Sequence, residues 1–176
     1  MIDDETELRQ LLEKQRIWEC LLRYTRGMDR LDRELTLSAY HDGAMEDHGA
    51  VIAPYDQFVD RVLEVHRRDD VATQHYMTNF WCEVDGDAAH AETYMFCYMV
   101  KPVAPDICAF GRTVDRLEKR DGRWGIVDRV SIKEGITHFE QVEAGGFFAM
   151  KPQSLAQAAR DRSDASYRRP VIVARD

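Results

Sequence analysis

Four β-prone segments in the second half of the chain restrict its fold more than any other feature of the sequence. They cover about Thr73 to Val84, Ala88 to Val100, Ile107 to Lys119 and Trp124 to Lys133. Asp85-Gly86-Asp87 separates the first pair and Asp121-Gly122 separates the second, and Asp-Gly is typical of tight hairpin turns. The pattern therefore predicts two hairpins joined into a largely antiparallel four-stranded meander.

Segments with helical periodicity precede these strands. They run from about Glu5 to Gly27 with Gly27 as the C-cap, from Asp32 as an N-cap to about Ala39, and from Pro54 to about His66. A short strand, Ala44 to His48, lies between the second and third helices. Helices followed by a meander predict an α+β fold in which a curved, largely antiparallel sheet wraps around a helix.

The length of 176 residues fits one domain with a tail, which we place at residues 1–134 and 135–176. The tail contains Phe139, Phe147, Phe148 and Met150 between scattered glycines, and this apolar surface is expected to act as a lid or as a strap between subunits. The formal net charge of -8 repels phosphate backbones, so we expect no nucleic-acid partner.

The four cysteines lie in separate apolar runs and form no CxxC pair, which predicts buried free thiols in a reducing compartment. No apolar run approaches membrane-spanning length, and the first residues lack the pattern of a signal peptide. We therefore expect a cytoplasmic protein without a membrane partner. The glycines are scattered at turns and no metal-ligand motif is present, so we also expect no cofactor and no metal.

An acid and a histidine stand at the ends of two neighbouring elements. Asp29 closes the first helix and His75 opens the first long strand. A carboxylate bonded to one ring nitrogen favours the protonated imidazole and leaves the other nitrogen for proton transfer. The alternatives are a strand histidine bonded to a backbone carbonyl and a solvated acid in a turn.

The order of elements, the Asp29 and His75 placement and the segment from Gly111 to Trp124 resemble the SnoaL-like branch of the nuclear transport factor 2-like superfamily. The resemblance covers about residues 5 to 133. Scytalone dehydratase, hexachlorocyclohexane dehydrochlorinase and bile acid dehydratase belong to that branch and use an acid and histidine dyad in cofactor-free eliminations. The resemblance implies a cone-shaped, curved antiparallel sheet wrapped around the N-terminal helices. It also implies one deep, mostly apolar pocket between the concave face of the sheet and the helices, with His75 as the general base.

Further site residues follow from the same resemblance and from strand alternation. Arg129 matches an arginine that follows the tryptophan of the dehydrochlorinase, and it would stabilise negative charge if its strand face is concave but be solvated if that face is convex. Candidate substrate-binding residues are Tyr24, Asn79, Tyr94 and Tyr98, of which Asn79 shares the face of His75 when positions are counted by twos. Met28 and Tyr24 stand where scytalone dehydratase has a tyrosine and the dehydrochlorinase has a lysine.

The sequence therefore predicts a cofactor-independent lyase of the dehydratase type that acts on a small hydrophobic, aromatic or polycyclic molecule of aromatic catabolism. One alternative keeps the dyad but breaks a carbon-carbon bond and releases formaldehyde from an aryl propanediol. Another is a non-catalytic ligand-binding or assembly domain, in which Asp29 and His75 are too far apart to bond or the pocket is filled by side chains. By resemblance we expect a homo-oligomer, with a trimer favoured over a dimer.

Overall fold

A computed structural model of the protein describes residues 4–141 and 158–172. In these ranges the helices are α1 (Asp4–Asp29), α2 (Arg33–Leu37) and α3 (Tyr55–Asp69). The strands are β1 (Tyr40–Asp47), β2 (Ile52–Pro54), β3 (Ala72–Asp85), β4 (Ala88–Val100), β5 (Asp106–Arg120) and β6 (Arg123–Phe139). The predicted α+β fold is confirmed.

The strands form one sheet in the order β2-β1-β6-β5-β4-β3. The predicted meander is present as β3 to β6, all paired antiparallel to their sequence neighbours. Two features differ from the expectation. The three-residue strand β2 was not predicted, and β1 pairs parallel to β6, so the sheet is mixed and not purely antiparallel.

One face of helix α1 packs into the hydrophobic core. Its buried positions recur at three- and four-residue steps, which places them on a single stripe against the sheet. They are Ile17, Cys20, Leu21, Tyr24, Thr25, Gly27 and Met28. The N-terminal half of the same helix leaves Leu8, Leu11 and Leu12 exposed. The sheet therefore wraps around the C-terminal half of α1, and this is the half that ends at Asp29.

The end of α1 lies two residues later than predicted, because Gly27 is an internal helix residue and not the C-cap. A Cβ atom at Gly27 would lie 2.5 Å from the backbone nitrogen of Thr36, so the glycine permits α2 to pack against α1. The chain reverses instead at Leu31, whose φ of 51° is left-handed, and Asp32 then caps α2 as predicted by accepting a hydrogen bond from the Leu35 backbone N–H. Asp29 thus ends a helix whose last turns are fixed by the packing of α2 at Gly27 and by the chain reversal at Leu31.

The motif from Gly111 to Trp124 fixes the sheet to α1. The indole Nε1 of Trp124 donates to Glu13 Oε2 at 2.5 Å, and Lys119 Nζ lies 3.0 Å from Oε1 of the same carboxylate. Gly111 allows close approach of β6, since a Cβ there would lie 2.0 Å from the Ile132 carbonyl oxygen. The glycine and the tryptophan of the motif are therefore explained by packing.

The tail is described in part. Strand β6 continues past residue 134 to Phe139, and residues 158–172 contain a 3₁₀ turn at Ala165–Tyr167. The remainder of the tail, and with it most of the segment predicted to be a lid or strap, lies outside the described residues. All four cysteines are buried and free, as predicted. None of the described helices is long and apolar enough to cross a membrane.

Candidate functional site

A cavity of about 320 Å³ lies between the concave face of the sheet and helices α1 and α3. Its walls are largely apolar, with Phe58 and Val62 from α3 and Met95 and Met99 from β4. The polar side chains that reach it include three histidines, His48, His66 and His75. A mostly apolar cavity with a few converging polar groups is the usual form of a small-molecule site.

The structure brings Asp29 and His75 together at one wall of this cavity. His75 Nδ1 lies 2.6 Å from Asp29 Oδ1, and the backbone N–H of His75 donates to Asp29 Oδ2 at 3.0 Å. Because β3 is the edge strand of the sheet within residues 4–141 and 158–172, no strand in these ranges pairs with this N–H, and the carboxylate accepts its hydrogen bond instead. The side chains are 7% and 15% exposed for His75 and Asp29, respectively.

The double contact fixes the tautomer and the charge of the imidazole. Nδ1 faces the carboxylate and therefore carries a proton, so proton exchange with a ligand is left to Nε2. Burial lowers the pKa of His75, but hydrogen bonds to Asp29 and to the thiol of its cross-strand neighbour Cys97 outweigh burial and raise the pKa to about 10. The ring is consequently an imidazolium at neutral pH.

A second histidine that the sequence analysis did not select lies beside the first. His66, in the last turn of α3, has Nδ1 2.7 Å from Asp70 Oδ2. The rings of His66 and His75 are 6.1 Å apart between centroids and nearly perpendicular, with 83° between their planes. The His-x-x-x-Asp spacing at the end of an amphipathic helix could have indicated the pair, since residues four apart are neighbours on a helix.

His48 also reaches the cavity and was likewise not selected. Its Nε2 is 2.9 Å from Ser131 Oγ, and its ring stacks on Phe58 with 4.3 Å between centroids. Ser131 lies on β6 two positions beyond Arg129 and lines the cavity, so that face of β6 is the concave one. This decides the question of orientation that the sequence left open for Arg129.

Arg129 points inward but lies below the cavity floor, where its charge is already paired. Its Nε is 2.6 Å and its Nη2 3.2 Å from the two carboxylate oxygens of Asp115, and the guanidinium lies 4.3 Å from the ring centre of Tyr24. Glu46 is a further buried acid at 3.9 Å from Nε, and it accepts a hydrogen bond from the Tyr40 hydroxyl. Tyr24, which lines the cavity, separates this cluster from it.

The other predicted substrate-binding residues lie outside the cavity. A β-bulge between Met77 and Phe80 shifts the alternation of β3, so Thr78 and Asn79 are both exposed and border an outer groove with Tyr94. Tyr94 stands on the outer face of β4, and Tyr98 donates its hydroxyl to Asp106 at 2.7 Å and does not line the cavity. The expected pocket positions of Asn79, Tyr94 and Tyr98 are corrected accordingly.

No group of three or more His, Cys, Asp or Glu side chains within residues 4–141 and 158–172 is arranged to hold a metal ion. The carboxylates beside the cavity are instead bound to histidines, Asp29 to His75 and Asp70 to His66, and Asp70 is bound to Lys101 as well. What this arrangement can do is proton transfer in a largely apolar space, where an imidazole and its carboxylate partner act together.

Comparisons with known proteins agree with this fold. The family model described as the SnoaL-like domain matches residues 9–130. No curated protein sequence matches the chain. Among solved structures, hexachlorocyclohexane dehydrochlorinase LinA-type3 from Novosphingobium barchaimii LL02 aligns with a TM-score of 0.69 at 19% identity, over 80% of this chain and 99% of that one.

Two further structures extend the set. A protein proposed to be a scytalone dehydratase, from Novosphingobium aromaticivorans, has a TM-score of 0.68 at 18% identity, covering 78% of this chain and 95% of that one. A substituted form of Rv3472, a protein of unknown function from Mycobacterium tuberculosis, has a TM-score of 0.64 at 22% identity, covering 72% of this chain and 74% of that one. These identities support a shared fold, and the domain match covers well over half of the sequence. The chain therefore belongs to the SnoaL-like domain family.

Proposed function

We propose that this protein is a cofactor-independent lyase that eliminates water or another small leaving group from a hydrophobic substrate, with the Asp29 and His75 pair as its proton-transfer dyad. The observation that carries the proposal is the 2.6 Å contact between His75 Nδ1 and Asp29 Oδ1 at the wall of a cavity of about 320 Å³. An elimination needs a proton taken from carbon and, for a poor leaving group, a proton given to it. A dyad in an apolar cavity supplies such transfers without a cofactor.

The shape and lining of the cavity support a hydrophobic, aromatic or polycyclic substrate. The aromatic ring of Phe58 and the flexible side chains of Met95 and Met99 offer contacts to flat apolar surfaces. The charged side chains that also line the space, Arg112 and Lys133, are cationic like His75, so they can stabilise negative charge that develops on an otherwise apolar substrate. Neighbours named as a dehydrochlorinase and as a proposed dehydratase support the same reaction class.

Arg129 fits this proposal as a supporting residue and not as a ligand of the leaving group. Its guanidinium is bound to Asp115 and covered by Tyr24. The guanidinium lies against the tyrosine ring, so the buried cluster of Arg129, Asp115 and Glu46 supports this wall of the cavity from behind. Tyr24 itself stays neutral, because burial raises the pKa of its hydroxyl well above the ordinary value. A neutral phenol at this wall can donate a hydrogen bond to a substrate oxygen.

The non-catalytic alternative requires features that are not observed in the described residues. It requires Asp29 and His75 to be too far apart to bond, or a cavity filled by side chains. The pair is in contact and the cavity is open. A domain that only assembled with another subunit would also not need an oriented, charged imidazole in an apolar space, because burying it costs free energy.

We also propose that the protein is a homo-oligomer, with a trimer favoured over a dimer by resemblance to the elimination enzymes of this branch. The outer face of the sheet exposes Tyr76, Trp81, Tyr94 and Phe96, a set of large aromatic side chains on two adjacent strands. Contiguous exposed apolar surface of this kind usually marks an interface. Light scattering coupled to size-exclusion chromatography is expected to give three times the mass of one chain. Twice that mass would contradict the trimer, and a monomer at all concentrations would contradict any oligomer.

The function is tested with two substrates of the neighbouring enzymes, hexachlorocyclohexane and scytalone. Chloride release and loss of water are followed for the native protein and for His75→Gln. Replacement of the imidazole is expected to lower kcat/KM by about 10²-fold or more. His90→Gln, an exposed histidine outside the cavity, is the matched control and should retain native activity. Equal activity of His75→Gln and the native protein would refute the dyad, and absence of turnover would exclude hexachlorocyclohexane and scytalone as substrates.

A further inference from the structure

Two imidazoles face the same cavity, and each is held at Nδ1 by its own carboxylate. The distances are 2.6 Å for His75 to Asp29 and 2.7 Å for His66 to Asp70. The four side chains come from α1, β3 and the C-terminal end of α3, so the arrangement is built by tertiary contacts between separate elements. With Nδ1 occupied in both rings, the Nε2 side of each is the one left for a ligand.

In the described part of the chain, Asp70 forms an ion pair with a lysine in addition to its contact with a histidine, whereas Asp29 does not. Asp70 is almost fully buried, with a side chain 1% exposed, and its second oxygen is bound by Lys101 Nζ. The negative charge of Asp70 is thus balanced by a lysine whether or not His66 is protonated. Asp29 has no such ion pair with a lysine or arginine among the described residues, and its charge is balanced by His75. His66 is therefore free to be neutral where His75 is not.

The cations around His66 also disfavour its protonated form. Arg160, from the segment after residue 157, donates to the backbone oxygens of His66 and Asp70 at 2.8 and 2.9 Å. His75 presents a second positive charge from β3 at a ring separation of 6.1 Å. Burial lowers the pKa of His66 and the nearby cations lower it further, against the opposing effect of Asp70. At neutral pH the cavity thus holds one imidazolium, His75, and one neutral imidazole, His66.

We propose that His66, oriented by Asp70, is the general base of this site and that His75, charged by Asp29, is its general acid. In an elimination, His66 Nε2 takes the proton from the substrate carbon while that C–H bond breaks and its electron pair forms the carbon-carbon double bond. The leaving oxygen departs with the electron pair of the C–O bond and receives the proton of His75 Nε2, which forms water. The products are the alkene, water, an imidazolium at His66 and an imidazole at His75. Exchange of one proton through the solvent or between the rings restores the starting state.

The ring separation fits such a division of labour. Two perpendicular rings with centroids 6.1 Å apart can approach adjacent carbon atoms of one substrate from two directions. Two groups with opposite protonation states perform both transfers at a single pH, whereas an imidazolium such as His75 must first lose its proton before it can act as a base. This inference rests on the proposed elimination and assigns the residue that removes the proton, replacing the expectation that His75 does so.

The base can be tested separately from the leaving group with 2-tetralone, a bicyclic aryl ketone that has acidic C–H bonds and no leaving group. Exchange of these hydrogens for deuterium in D₂O, followed by proton NMR, reports proton removal alone. His66→Gln is expected to lower the exchange rate constant by about 10²-fold or more. Asp70→Asn should lower it less, as expected for a positioning residue. Asp69→Asn, which changes the exposed neighbouring carboxylate, is the matched control and should leave the rate unchanged.

The pH profile of exchange by the native protein provides a second measurement that needs no variant. With His66 as the base, the rate is already level at neutral pH, because the pKa of His66 lies below its ordinary value. With His75 as the only base, the rate would continue to rise toward pH 10. Circular dichroism shows whether each variant is folded. If His66→Gln is unfolded, the pH profile of the native protein decides whether His66 or His75 is the base.

The outcomes separate the two proposals. Native exchange by His66→Gln together with a profile that rises toward pH 10 would overturn the assignment of His66 and leave the elimination function in place. Absence of exchange and of elimination in the native protein would overturn both. Loss of exchange in His66→Gln, with a level profile at neutral pH and native behaviour of Asp69→Asn, is the result expected here.

Discussion

His75 and Arg129 are the two basic side chains predicted to be catalytic, and both point to the concave side of the sheet. They differ in what surrounds them. His75 is held on one side by Asp29, and its ring borders the cavity. Arg129 is held by Asp115 through two nitrogens, is covered by the ring of Tyr24 and lies close to Glu46. One is a reactive group with a partner, and the other is a core element with several.

The contrast teaches that a buried charge is available for chemistry only when its partners leave one face of it free. Two acids balance the charge of the guanidinium and a tyrosine ring covers it. Removal of the guanidinium would therefore leave the two acids without a cation in the interior. The imidazole has one carboxylate and an open side, so its removal leaves one acid and not two without a cation, and it removes the group that transfers protons. The two sites can therefore be separated by measuring both stability and activity on the same variants.

Arg129→Met is expected to have the largest effect on stability. It leaves Asp115 and Glu46 buried without their cation, and breaking a buried ion pair in this way costs about 3–5 kcal/mol of unfolding free energy. Chemical denaturation followed by fluorescence measures the change. Arg116→Met, at an exposed arginine next to Asp115 in sequence, should change stability by no more than about 1 kcal/mol. If Arg129→Met were as stable as Arg116→Met, the buried cluster would not be a core element.

The dyad is expected to give the protein a pH-dependent stability of a particular sign. The pKa of His75 is raised to about 10 in the folded protein, above the ordinary histidine value of about 6.5 in the unfolded chain. The folded state then binds the extra proton between these values, so the stabilisation is complete below about pH 6.5 and is lost as the pH rises through about 10.

Within that window the unfolding free energy should fall by at most about 1.4 kcal/mol per pH unit from this group. Asp29→Asn removes the carboxylate that charges the ring, and the difference between its pH profile and that of the native protein isolates the dyad. Denaturant titrations between pH 6 and 10 supply both profiles. Parallel profiles would mean that His75 is not protonated more strongly in the folded state, and the contrast with Arg129 would be lost.

The sequence predicts strands that are neighbours along the chain, but it does not predict the pairing of strands that are far apart in sequence. Asp-Gly turns and apolar alternation indicate neighbouring strands, and β4 was predicted as Ala88 to Val100, where it lies. The parallel pairing of β1 with β6 joins residues such as Glu46 and Arg129, which are far apart in sequence and share no turn. Hydrophobic periodicity does not report which distant strands pair, and a strand of three residues such as β2 is too short to show any.

The candidate site shows the same limit at the level of side chains. A bulge between Arg116 and Leu117 moves the register of β5 and β6 by one residue, so that Asp115 faces Arg129 instead of Asp128. Counting from the Asp121-Gly122 turn alone would not give that ion pair. The placement of Asp29 and His75 at the ends of two elements was recognised because it resembles a known arrangement. His66 and Asp70 match no such pattern, although their spacing on a helix made the local contact predictable.

The smallest expected effect belongs to Asn79, and it tests which part of β3 faces the cavity. Alternation by twos from His75 would point Asn79 inward, but the bulge between Met77 and Phe80 places it outside with Tyr94. Asn79→Ala should therefore leave kcat/KM unchanged and change stability by no more than about 0.5 kcal/mol. Met95→Ala, on the cavity wall in the neighbouring strand, should raise KM because it removes apolar contact with the substrate.

A loss of activity in Asn79→Ala comparable to that in Met95→Ala would mean that β3 lacks the bulge in solution. In that case the one-sided exposure that distinguishes His75 from Arg129 would have to be reconsidered, since it depends on the same strand.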